Sequence, residues 1–166
     1  NSRIVPIRNR ESLSDVAMMD FGRMALQNPL APNPSVEYLL HVFVPAKFVL
    51  HSHADAINAL TDQAAGIDID KILAEVFGTN VVSLPYIMPG FPLAKAVADV
   101  SEKNVGLDHI VLKKHGLFTF AETAREAYER HLAMVTLAED YIKSRLNGRK
   151  IFTAAYDKTS TAEGAA

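Results

Sequence analysis

The sequence predicts an α/β domain in which a central sheet is covered by helices. Three observations carry this expectation. β-rich apolar runs alternate with segments of three-to-four apolar periodicity along the chain, so strands and helices are interleaved. The 166 residues suffice for one hydrophobic core without a disulfide or metal staple. Apolar residues at 49% and charged residues at 22% are the balance of a globular protein, which excludes a disordered chain or a coiled coil. The interleaving alone does not fix parallel or antiparallel pairing, and no internal repeat supports a solenoid or propeller.

Each element has its own signal. Ser12 to Gln27 places Leu13, Val16, Ala17, Met18, Phe21, Met24 and Ala25 at helical spacing, weakened by Gly22. The Pro29 to Pro34 stretch makes a stiff loop, and Pro34, with Asn33 as N-cap, begins a helix through His41 that Pro45 ends. Lys47 to His53 reads as a buried strand, followed by a helix from Ala54 to Asp62 and another from Asp70 to Phe77. Gly78-Thr79-Asn80 is turn chemistry before a short strand, Val81 to Leu84, closed by Pro85. Phe91 to Glu102 is helical, with Leu93, Ala96, Val97 and Val100 on its buried face. His109 to Leu112 is a strand, Gly116 a kink, Leu117 to Phe120 a second strand piece, and Glu122 to Leu146 one long helix stopped at Gly148.

Composition narrows the function. A formal net charge of -2, with no block of like charge, gives no footprint for nucleic acid or an anionic membrane. No apolar run approaches the roughly 20 residues that cross a bilayer. With zero cysteines, metal chemistry falls to His, Asp and Glu. No signal or transit segment is recognisable, which makes the cytoplasm the expected location. The chain opens at Asn1 rather than Met, so residues are expected to precede it. Residues 1–156 are expected to form one domain, with Asp157 to Ala166 as a small, polar tail or the start of a linker.

His51 and His53 stand two apart at a strand end, where residues i and i+2 share a face, so both imidazoles can reach one ion. The alternative is a pair of polar residues where the strand meets solvent. Ser52 between them points away. His115, after an apolar strand and before Gly116, which lets the backbone turn beside a ligand, can complete three nitrogen ligands if the two strands are neighbours; otherwise it is a loop histidine beside two lysines. Three nitrogens leave a coordination position for water or substrate. Glu37 sits in the first turn of its helix, where the macrodipole favours any carboxylate; its functional version is a carboxylate beside the metal that removes a proton from carbon. Ser35 caps that helix or helps bind a phosphate. His41, one turn after Glu37, reads as packed or as supporting a ligand, and His109 and His131 as structural or exposed. Tyr86, between Pro85 and the Pro89-Gly90 turn, lines a cleft or simply packs. There is no HExxH, P-loop or GxGxxG pattern.

Taken together, Pro34-Ser35-Val36-Glu37, then His51-Ser52-His53-Ala54-Asp55-Ala56, then Pro85-Tyr86 ahead of a glycine and a helix, and finally Lys114-His115-Gly116-Leu117 resemble the class II aldolase/adducin family in order and approximate separation. The wording is most similar to the aldolase module of bacterial proteins that fuse rhamnulose-1-phosphate aldolase-like and short-chain dehydrogenase domains, over about Pro34 to Leu146. The resemblance implies a three-layer α/β/α sandwich with a mixed, largely antiparallel sheet, assembled as a homotetramer with active sites at subunit boundaries. It implies zinc on His51, His53 and His115, with manganese, cobalt or iron as other divalent occupants. It also implies that Glu37 touches the metal at rest and acts as acid/base, with Ser35 and Tyr86 at the substrate. The implied activity is cleavage of a ketose 1-phosphate, such as rhamnulose 1-phosphate, to dihydroxyacetone phosphate and an aldehyde through a zinc-stabilised enediolate. Epimerisation, dehydration and decarboxylation use the same scaffold. Readings from another class are a non-catalytic adducin-like assembly module and a metal-free domain of a fusion protein.

Two departures bear on the substrate. The family's glycine-containing phosphate loop and its Thr-Gly segment are not evident in Asn1 to Pro34, and Val36 stands where sugar-phosphate aldolases often carry a second serine.

Overall fold

The structure, a computed structural model, describes residues 4–149. The elements are a 3-10 turn at Val5–Asn9, then α1 (Asp15–Met24), α2 (Tyr38–Phe43), β1 (Phe48–Ser52), α3 (Asp55–Thr61), α4 (Ile69–Phe77), β2 (Ser83–Leu84), α5 (Phe91–Lys103), β3 (His109–Leu112), β4 (Gly116–Ala121) and α6 (Ala124–Leu146). The expected tail at 157–166 lies outside the described residues.

Four strands form one sheet in the order β1-β4-β3-β2. β1 and β3 each run antiparallel to β4, and only β2 is parallel to its neighbour β3. The sheet is therefore mixed and largely antiparallel. Because side chains alternate across a strand, it has two apolar faces. Ile110, Leu112, Phe118 and Phe120 pack with Met18, Leu39, Leu40, Phe91, Leu93 and Val97 from α1, α2 and α5. On the other face Val111 and Leu117 meet Ile57, Leu60, Leu73, Met134 and Ala138 from α3, α4 and α6. The result is the three-layer α/β/α sandwich that the resemblance implies.

Differences from the sequence reading are local. Helix α2 starts four residues after Pro34, and Ser35 to Glu37 form a turn in which the Ser35 carbonyl accepts from the Tyr38 N–H at 3.1 Å. Asn33 bonds Arg23 instead of capping a helix. Gly22, read as a weakness in α1, is a requirement of packing: a Cβ there would lie 2.8 Å from Pro34 Cγ and 3.1 Å from the Tyr38 ring. The Tyr38 hydroxyl donates to the Met18 carbonyl at 2.8 Å. Helix α1 thus anchors the loop that delivers Glu37. Strand β2 shrinks to two residues. Gly116 is the first residue of β4, and the left-handed turn residue is Lys114, at φ 60°. The 3-10 turn, too short for periodicity, places Ile4 and Ile7 in the core. Among the described residues, no helix is long and apolar enough to cross a membrane.

Candidate metal centre

One end of the sheet gathers four of the side chains singled out in the sequence. β1 brings His51 and, just past its end, His53; the β3–β4 turn brings His115; the residue before α2 brings Glu37. One ligand atom from each lies within 4.8 Å of all the others. Glu37 Oε1 is 2.7 Å from His115 Nε2, 3.6 Å from His51 Nε2 and 3.7 Å from His53 Nε2, and the His53 and His115 Nε2 atoms are 2.9 Å apart.

The local structure explains the convergence. β1 pairs with β4 so that His51 stands opposite Phe118, and the two rings stack at 4.0 Å with planes 10° apart. The His51 Nδ1–H donates to the Leu117 carbonyl at 3.0 Å. That bond fixes the tautomer and leaves Nε2 as a lone pair facing the cluster. Burial pushes the His51 pKa down to about 4, outweighing the Leu117 bond and the Glu37 charge that act upward. The ring is neutral at pH 7. Its Nε2 is buried and has no hydrogen-bond partner among the described residues, which leaves its lone pair available to a cation. His115 is held from behind, where the hydroxyl of fully buried Thr61 accepts from the Lys114 N–H at 3.1 Å. Glu37 occupies the N-cap position of α2 (φ -94°, ψ 0°) instead of its first turn, and its side chain makes no cap bond. The carboxylate is left to face the histidines, 16% exposed.

Gly116 matters for a reason other than a turn. Its Cα approaches the Ser52 main chain so closely that a Cβ would lie 2.3 Å from the Ser52 carbonyl oxygen and 3.2 Å from His51 Cε1. Only glycine lets the end of β1 meet the start of β4. Three imidazole nitrogens and one carboxylate form a donor set suited to a divalent transition metal.

The other residues fall outside the cluster. The Ser35 Oγ accepts from the Glu37 N–H at 3.2 Å, which places it in the turn that presents the carboxylate. Tyr86 follows β2, whose end lies beside that of β3 (Leu84 opposite Leu112), so its loop leaves the sheet at the same end as His115. Its side chain is exposed and its hydroxyl faces Met88 Sδ at 3.7 Å. His41 lies within 3.2 Å of the Val49 carbonyl through Nδ1 and does not join the four. His131 is buried against Ser52 and Thr119. Sequence reasoning missed this last contact because nothing in local spacing links positions so far apart.

Fold and donor set together define an α/β/α domain of the aldolase type with four side chains that could hold a metal ion. Residues 8–142 match the Class II Aldolase and Adducin N-terminal domain, and the chain belongs to that family. It is 34% identical over 149 residues to the uncharacterized oxidoreductase YuxG of Bacillus subtilis (strain 168), covering 90% of this chain and 21% of that protein. The chain thus spans about a fifth of that relative's length. It is 46% identical, with a TM-score of 0.76, to the N-terminal class II aldolase domain of a conserved protein from Thermoplasma acidophilum, covering 85% of this chain and 63% of that one. L-fuculose-1-phosphate aldolase from Thermus thermophilus shares the fold at 23% identity and a TM-score of 0.52, with coverage of 75% and 71%.

Proposed function

We propose that this domain is a zinc-dependent carbon–carbon lyase that cleaves a ketose 1-phosphate, rhamnulose 1-phosphate first among them, to dihydroxyacetone phosphate and an aldehyde. The observation that carries the reading is the Glu37 carboxylate lying within 3.7 Å of three Nε2 atoms, from His51, His53 and His115. A divalent cation held by these residues supplies Lewis-acid stabilisation of the negative charge that develops next to a carbonyl when such a bond breaks. His51 and His115 hold their rings in fixed orientation by burial, and His53 completes the set from the exposed rim. During cleavage the hydroxyl on the carbon that becomes the aldehyde loses its proton, and the electrons of the broken bond pass to the ketone half. The hydroxyl proton passes to water, and a protonated Glu37 delivers a proton to the ketone-half carbon that received those electrons, removing it in the reverse direction. Its position supports this role, since its carboxylate is partly buried and free of a helix-cap bond.

Ser35 and Tyr86 are the residues we assign to the substrate. Both are exposed, Ser35 beside Glu37 and Tyr86 on the loop at the same sheet end. Assembly as a homotetramer, and fusion to a dehydrogenase domain in a longer polypeptide, belong to the same reading. The relative named as an oxidoreductase, much longer than this chain, supports the fusion.

Elemental analysis of the purified protein is expected to find about one zinc per chain. A coupled assay for dihydroxyacetone phosphate is expected to report turnover with rhamnulose 1-phosphate. A Glu37→Gln variant should retain metal and lose activity by about 100-fold or more. Absence of stoichiometric metal, together with no thermal stabilisation by added zinc, overturns the proposal.

A further inference from the structure

A second polar cluster lies across the sheet from the four side chains. His131, on the inward side of α6, is 9% exposed. Its Nε2 is 2.7 Å from Ser52 Oγ and its Nδ1 is 3.0 Å from Thr119 Oγ1, while the Thr119 hydroxyl donates to the Ala127 carbonyl at 3.1 Å. These contacts fix the direction of each bond. The Thr119 proton is committed to Ala127, so the His131 Nδ1–H donates to Thr119 and the Ser52 hydroxyl donates to Nε2. The ring is neutral and held in one tautomer, and burial lowers its pKa.

The two hydroxyls belong to the strands that build the cradle. Ser52 lies between His51 and His53, and its side chain points to the face opposite His51. Thr119 stands across from Leu50 on β4, the strand that begins directly after His115. A single buried imidazole therefore ties both strands to α6, at the level where Gly116 lets their main chains touch.

We propose that His131 is a positioning residue for the metal cradle: through Ser52 and Thr119 it fixes the strand end presenting His51 and His53 relative to the turn presenting His115, and so sets metal affinity. This inference rests on the metal reading of the site. A histidine that merely fills the core would lower stability when replaced but leave the affinity of the folded protein unchanged.

The test is zinc affinity, measured by competition with a chromophoric chelator, together with the visible spectrum of the cobalt-loaded protein. Both are read on the parent, Ser52→Ala, Ser52→Thr, His131→Phe and the Ser52→Ala/His131→Phe double variant. None of these changes removes a side chain of the four-residue cluster. Ser52→Ala and His131→Phe should each weaken zinc binding about 10-fold and shift the cobalt bands, and the double variant should add little to either. Ser52→Thr, which keeps the hydroxyl, should bind within about twofold of the parent. A folded Ser52→Ala protein with parental affinity and an unchanged cobalt spectrum overturns the role of His131, and it decides the matter even if His131→Phe does not fold. A parent that binds neither cation overturns the metal reading itself and this inference with it.

Discussion

At the scale of single residues, the cradle depends on unusually close atoms. Gly116→Ala would drive a methyl group to 2.3 Å from the Ser52 carbonyl oxygen, a contact that backbone must move to relieve. The expected cost is about 2–3 kcal/mol in urea unfolding, accompanied by weaker metal binding because the same shift displaces His51. Burial of neutral imidazoles has its own signature. His51 holds a pKa of about 4 in the folded chain, below its ordinary value of 6.5, so between those two values the unfolded state binds more protons than the folded one. Stability of the metal-free protein should be fully present above pH 6.5 and fall as the pH is lowered toward 4. His131 is depressed in the same direction by burial and adds to the loss. The check is the urea midpoint across that range in the presence of chelator, where His51→Gln should show a shallower dependence.

At the scale of elements, helix starts and strand ends decide where chemistry sits. Thr123 begins α6 by accepting from the Glu126 N–H at 3.2 Å, with the Glu126 carboxylate 2.7 Å from its hydroxyl. Thr123→Ala should cost about 1 kcal/mol in urea unfolding and leave metal content unchanged. Much at this scale is legible in the sequence. Local apolar patterning marks the strand and helix that carry His51, His53 and the α3 residues, and alternation marks the paired histidines. Helix α2 is less so: the Pro34-Ser35-Val36-Glu37 segment has the composition of a helix start. Only the tertiary contact of Pro34 and Tyr38 with Gly22 shows that the turn precedes the helix and leaves Glu37 at its mouth. Partnerships across the sheet have no local signal. Ser52 and His131 are 79 positions apart, and the Thr61 hold on Lys114 spans 53.

At the scale of the whole molecule, the site joins segments from Glu37 to His115, and it forms only when the sheet has its final order. A ligand of such a site stabilises the folded chain by mass action. Zinc at 100 times its dissociation constant should raise the unfolding free energy by about 2.7 kcal/mol, an effect that a thermal scan reads directly and that excess chelator reverses. Sequence shows that three histidines and a glutamate stand at element ends. It does not show that β1 and β3 flank the same strand, because hydrogen-bond order in a sheet is a property of the assembled core.

The flanks of the cradle differ in their access to water. The side chains of His51 and His115 are 8% and 7% exposed, whereas that of His53 is 57% exposed. Loading and stripping of an ion can therefore proceed over His53 while the interior stays shut. Removal by a small chelator should outpace spontaneous denaturation of the chain and quicken with chelator concentration, as expected of exchange at a rim.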